Sequence, residues 1–152
     1  MACDKGYLHV GGPGAGHYVK TVHNGMEYAM LQALGEGFAV LEKAPYKLKL
    51  DEIAGVWQHG SVIRGWLMEL VARGMKKNKG LNGIVGSVGG GETGRWAIAQ
   101  AKSAKVRVPS MGLALRERIR SEKSPSFAGK VIAAVRNEFG GHEVRKAGRR
   151  SR

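Results

Sequence analysis

From His17 to Glu42 the chain runs without a proline, between a glycine-rich GGPGAG at 11–16 and Pro45. Apolar residues at Val19, Val22 and Met26 recur at steps of three and four, the period of an α-helix. A helix of that length constrains everything else. It is expected to be central and buried, with shorter helices packed around it. It also carries a polar stripe. At 100° per residue, Lys20, His23, Asn24, Glu27 and Tyr28 fall within an arc of roughly 140°. A solvated face with a Lys–Glu contact is the plain explanation, yet Glu27 lies seven residues from Lys20, too far for an i,i+4 ion pair. The stripe mixes a candidate base, a candidate acid, two hydrogen-bonding groups and a phenol. Acid–base chemistry on a polyhydroxylated anion calls for that mixture.

The remaining chain reads as shorter helices. One is expected from Leu50 to His59, with Asp51 and Glu52 in the first turn where the helix dipole favours acids. Ser61 reads as the cap of a third, carrying Ile63, Trp66, Leu67, Leu70 and Val71 on one face. A long glycine-rich loop, KKNKGLNGIVGSVGGGETG, covers 76–94, and loops of that length are usually functional or mobile. Further helices are expected from Arg95 to about Lys105, from Val108-Pro109-Ser110 to Ser121, and from Ser124-Pro125 to about Asn137, with Pro125 at the first helical position. No internal repeat or hairpin appears, so the expected class is all-α.

The 152 residues suffice for one domain with a core, and 43% hydrophobic content is not that of a disordered chain. Cys3 is the only cysteine, so no internal disulfide can form, in keeping with a reducing compartment. No run approaches the roughly 18 apolar residues of a membrane helix, and MACDKGYLHV has no signal-peptide pattern. The expectation is a soluble, cytoplasmic protein without a membrane partner. The net charge of +13 favours anionic partners. Part of that charge is a tail: Arg145, Lys146, Arg149, Arg150 and Arg152 face one Glu143 after His142. Such a tail is more often a solvated end than a binding device.

Two glycine-rich segments suggest a dinucleotide loop. In GGPGAG the third glycine of G-x-G-x-x-G falls at His17 instead. GGGETG matches literally at Gly89, Gly91 and Gly94. The mechanism also needs a preceding strand and a second parallel strand ending in an acid about 20 residues on, where this chain reads as helices. Both segments remain candidates for presenting backbone N–H groups to a phosphate or carboxylate, or for simply turning the chain.

The stretch GAGHYVKTVHNGMEYAMLQALGEGFAVL resembles the start of the helical C-terminal domain of decarboxylating 6-phosphogluconate dehydrogenases, whose hallmark is G-A-G-H-x-V-K-x-V-H-N-G-x-E-Y. The likeness continues through IAGVWQHGSVIRGWLMEL, ETGRWAIAQA and RNEFGGH, covering about residues 6 to 144. The resemblance implies oxidative decarboxylation of 6-phosphogluconate to ribulose 5-phosphate and CO₂ in the pentose phosphate pathway, with NADP or NAD as cofactor. It matches Lys20 to the general base at the C3 hydroxyl, which must be neutral and so is expected to be buried or set beside cations. Glu27 matches the general acid that protonates C1 of the enediol. His23 and Asn24 match residues that orient the substrate's carboxylate and hydroxyls. Tyr28, Thr93 and Arg118 match phosphate ligands, with Arg120 as the fallback for Arg118. Arg136 and His142 match residues that reach across a dimer to the partner's phosphate. Base and acid would stand two helical turns apart, about 10 Å along the axis.

The resemblance also divides the chain into an extended lead-in (1–16), the helical domain (17–142) and a basic tail (143–152), with an arm after Asn137 that inserts into a second subunit of a homodimer. Gly91 stands where many members carry a phosphate-binding lysine, and Arg95 is the nearby cation that could compensate. The family's nucleotide-binding domain has no counterpart in these residues. The expectation is a chain inactive alone: half of a split enzyme working with a separate Rossmann-domain chain, a fragment, or a remnant. The rival readings are a basic polyanion- or nucleic-acid-binding protein and a dimerisation module. No helix-turn-helix, zinc or RNA-binding signature supports the former, and His17, His23, His59 and His142 show no metal-ligand spacing.

Overall fold

A computed structural model describes residues 5–147; Cys3 and the tail from 148 onward, with Arg149, Arg150 and Arg152, lie outside the described residues. Six α-helices follow in order: α1 (Ala15–Glu42), α2 (Leu50–Gly60), α3 (Trp66–Lys77), α4 (Glu92–Ser103), α5 (Pro109–Ser121) and α6 (Phe127–Gly140), with a 3-10 turn at Lys79–Leu81 between α3 and α4. No helix among the described residues is long and apolar enough to cross a membrane. The all-α class read from the periodicities holds.

α1 is the axis, touching α2, α4, α5 and α6. Its buried positions are Thr21, Gly25, Tyr28, Leu31, Gly35 and Phe38. Val19 and Met26, whose spacing marked the helix, are about half exposed. The reason is steric: α1 turns its small residues toward its neighbours. A Cβ on Gly25 would stand 2.8 Å from Cβ of Ala97 on α4, and one on Gly35 would stand 2.8 Å from the Ala128 carbonyl oxygen on α6. Backbones can approach that closely only where a side chain is missing. Leu31 and Phe38 then join Met68, Leu70, Val71 and Met75 of α3 and Val131 to Val135 of α6 in one core.

Three helix starts differ from expectation. α3 begins at Trp66, not after Ser61: Ser61 ends α2 in extended conformation, and the Gln58 side chain accepts the Gly65 N–H at 3.1 Å. Ile63 and Trp66 therefore lie exposed, off the α3 core face. α4 begins at Glu92, three residues early, which places Thr93 in its first turn. α6 begins at Phe127, two residues after the expected first position at Pro125, because Ser126 takes the cap; its Oγ accepts from Gly129 N–H at 3.0 Å.

The glycine-rich segment after the 3-10 turn is a fixed strap. Ile84, Gly86 and Val88 alternate inward. Val85 N–H donates to the Arg145 carbonyl at 2.8 Å, Ala147 N–H to the Gly83 carbonyl at 3.1 Å, and Val88 N–H to Ser121 Oγ at 2.9 Å. Residues 145–147 thus lie along this chain's own strap.

Gly35 and Gly37 make a paired test. Nothing lies within 4 Å of a Cβ at Gly37. Gly37→Ala should stabilise by about 0.5–1 kcal/mol through helix propensity, whereas Gly35→Ala should destabilise by about 1–3 kcal/mol through overpacking against α6. Urea denaturation of the two variants reads both signs.

Candidate active site

The polar stripe of α1 divides by environment. Lys20 and His23 are exposed, Asn24 and Glu27 half-buried, and Tyr28 buried. Lys20 Nζ donates to Asn24 Oδ1 at 2.7 Å and stands 3.2 Å from His23 Nδ1. The i,i+4 partner of the lysine is thus an amide, not the carboxylate. The burial expected around Lys20 is not supplied by this chain's packing: at that level only one side of α1 is covered.

Tyr28 lies on the border between stripe and core, and the second half of the cluster forms around it. Its hydroxyl meets Thr93 Oγ1 at 3.1 Å, across the contact of α1 with α4. Arg118 of α5 stacks its guanidinium on the phenol ring, 3.4 Å from the centroid. Arg118 is 5% exposed and has no carboxylate within ion-pair distance among the described residues. Arg120, the fallback, is exposed and stands 3.7 Å from Glu117. The close fit depends on Gly94, where a Cβ would stand 2.6 Å from Cε2 of Tyr28.

Arg136 and His142 enter from α6 and the turn after it. Arg136 donates to the Gly89 carbonyl at 3.0 Å. His142 packs edge-on against Phe139, ring centroids 5.9 Å apart, and its carbonyl accepts from Asn137 Nδ2 at 3.0 Å. Within the chain both stand near Tyr28 and Arg118, because α6 runs antiparallel to α1: Ala128 meets Gly35, and Phe139 shares a groove with Met26 and Met30. The C-terminal end of α6 therefore returns to the level of Glu27. All nine residues singled out from sequence lie on or beside this face, Lys20, His23 and Asn24 at one end and the arginines at the other. Sequence reasoning missed the packing role of Gly25 and Gly94, which seat the stripe; Gly94 was read only as part of a glycine-rich turn and Gly25 only as part of the family hallmark.

The cations crowd one another. Burial pushes the guanidinium of Arg118 below the usual arginine range, the Tyr28 side chain opposes this, and the charge of Arg136 adds to the lowering. Burial likewise lowers Arg136, against Tyr28 and Glu27. Burial first, then the Arg136 charge, pushes the His142 imidazole below the usual histidine range, with Glu27 pulling the other way. Around these cations stand two carboxylates that pair with none of them, half-buried Glu27 and exposed Glu92.

The class so defined is an all-α domain whose central helix carries a lysine–glutamate stripe beside a cluster of two arginines and a histidine. The model of the 6-phosphogluconate dehydrogenase C-terminal domain matches residues 16–126. YqeC of Bacillus subtilis (strain 168), whose name carries a 6-phosphogluconate dehydrogenase assignment as provisional, is 43% identical over 145 residues, 95% of this chain and 49% of YqeC. The NAD(+)-dependent, decarboxylating 6-phosphogluconate dehydrogenase of Haloferax volcanii is 41% identical over 140 residues, 91% of this chain and 47% of that protein. The spinach (Spinacia oleracea) decarboxylating enzyme 1 is 34% identical over 122 residues, 74% of this chain and 25% of its own. The chain belongs to the 6-phosphogluconate dehydrogenase family and represents its C-terminal domain. It spans about half the length of the first two relatives.

A lowered imidazole value means the folded chain binds fewer protons than the unfolded one. This contribution to stability stands in full above the ordinary histidine range and is lost as pH falls through the lowered value. An NMR titration should place the His142 midpoint below that of an exposed histidine and move it upward when a phosphate ester is added. A midpoint unmoved by the ester contradicts a phosphate beside this ring.

Proposed function

We propose that the chain is the substrate-binding and proton-transfer part of a 6-phosphogluconate dehydrogenase, acting in the oxidative decarboxylation of 6-phosphogluconate to ribulose 5-phosphate. The observation that carries this reading is Arg118: a buried guanidinium without a carboxylate partner among the described residues, stacked on Tyr28 and near enough to Arg136 to feel its charge. A fold keeps such a charge where an anion completes it. The phosphate of the substrate is assigned to Tyr28, Thr93, Arg118, Arg136 and His142. The sugar acid then extends along α1 toward Lys20. His23 and Asn24 orient its carboxylate and hydroxyls. Lys20 takes the proton of the C3 hydroxyl, and Glu27 delivers one to C1 of the enediol after CO₂ has left. The hydrogen bond from Lys20 to Asn24 points the ammonium group along the stripe.

The nicotinamide cofactor implied by the family finds no fitting site in the described residues. No strand precedes either glycine-rich turn; the one isolated β-bridge among them, Ile84 with Lys146, is antiparallel. Gly94, third glycine of the literal G-x-G-x-x-G, admits the Tyr28 ring and not a pyrophosphate. The hydride step is therefore not assigned to these residues.

Calorimetric titration of the chain with 6-phosphogluconate, gluconate and NADP⁺ tests the reading. Selective, saturable binding of 6-phosphogluconate is expected, with gluconate weaker by at least about tenfold, since each charge-assisted hydrogen bond to phosphate contributes about 1.5–3 kcal/mol. Equal binding of any polyanion that falls away steeply with salt would favour a general basic binder instead. In an enzyme that turns over, Lys20→Met and Glu27→Gln should each lower kcat by about 10²–10⁴ with little change in KM.

A further inference from the structure

We propose that Arg95 is a further phosphate-binding residue of this site, closing over the Gly90-Gly91 turn opposite Arg136. The inference rests on the phosphate assignment made above. Arg95 lies in the opening turn of α4, where its backbone N–H bonds to the Gly91 carbonyl at 3.0 Å. Helical side chains lean toward the N-terminus, and this one folds back over the start of its own helix: Nη1 stands 3.5 Å and Cζ 3.9 Å from the position a Cβ would take on Gly91. On the neighbouring glycine, Arg136 Nη2 stands 3.5 Å from the corresponding position. Two guanidiniums thus flank one glycine pair. Gly90 and Gly91 both have positive φ, 82° and 144°; a side chain at Gly91 would be strained and would meet the Arg95 guanidinium.

The turn is also polar in the right sense. Gly91 provides no side-chain cap, so no side chain takes up the first N–H groups of α4. Arg95 itself is exposed and has no carboxylate within ion-pair distance among the described residues. Glu92 Oε2 stands 3.8 Å from the Cβ position on Gly90 but makes no ion pair with either guanidinium. A guanidinium held against a bare glycine turn, without an ion-pair partner and across that turn from a second guanidinium, is placed to take two oxygens of a phosphate monoester.

The test compares Arg95→Gln with Lys102→Gln, which removes the same charge from the far end of α4, in calorimetric titrations of the full chain with 6-phosphogluconate and gluconate. Arg95→Gln should weaken 6-phosphogluconate by about tenfold or more, the effect of losing a charged hydrogen bond, and leave gluconate unchanged. Lys102→Gln should change either by no more than about twofold at moderate salt. Arg95→Lys should recover part of the loss. Equal, small effects of Arg95→Gln and Lys102→Gln, with the wild-type preference for 6-phosphogluconate intact, would overturn the role of Arg95 alone. A wild-type chain without that preference would overturn the phosphate site and Arg95 with it.

Discussion

Arg118 is the group on which the site turns. A guanidinium removed from water loses hydration worth several kcal/mol, and a buried carboxylate is the usual compensation. This chain provides a phenol ring instead, 3.4 Å away, with a threonine holding the phenol from the other side. The ring quadrupole offsets part of the cost. A carboxylate in the same place would satisfy Arg118 as an ion pair, and the described residues place none there. The arrangement therefore joins packing to function through one residue pair: Tyr28 belongs both to the buried face of α1 and to the polar stripe.

The approach of the helices follows from that pair. Tyr28 can reach Thr93 only because Gly94 has no side chain, and α1 can lie against α4 at that level only because Gly25 has none. On its other side, Gly35 lets α6 pack close enough to bring Arg136 and His142 to the same end of the stripe. Small residues here do the work that apolar bulk does elsewhere in the core, where Leu31 and Phe38 fill the space toward α3. The strap from Ile84 to Val88 ties α5 and α6 together from outside, and the Gly89 carbonyl at its end holds the Arg136 guanidinium.

Much of this was legible in the residues. The proline-free run, the acids at the start of α2 and Pro109 at the start of α5 marked helices correctly, because those signals act within one turn. The stripe from Lys20 to Tyr28 was legible because helical spacing fixes which side chains share a face. The buried side of α1 was not legible: the apolar period identified a helix, yet close packing through Gly25 and Gly35 leaves no hydrophobic signal to count. The start of α3 was misplaced because Ser61 serves as a cap in principle, while Gln58 and Gly65 settle the local turn through a hydrogen bond between residues seven apart. The placement of Arg136 and His142 beside their own chain's Tyr28 depends on the antiparallel run of α6 along α1, a tertiary relation that no local pattern encodes.

Whether one chain completes its own phosphate cluster can be measured by complementation. Arg118→Met and Arg136→Met remove one guanidinium each, and the apolar replacement at Arg118 keeps the interior filled. Each variant alone should lose selective binding of 6-phosphogluconate. The two are then refolded together, so that any subunits can pair at random, and titrated again. With both arginines serving the same chain's site, the mixture stays as weak as its components. Recovery of about a quarter of the wild-type sites, the fraction that random pairing in a two-fold dimer would restore, would contradict it and place Arg136 in the partner's pocket.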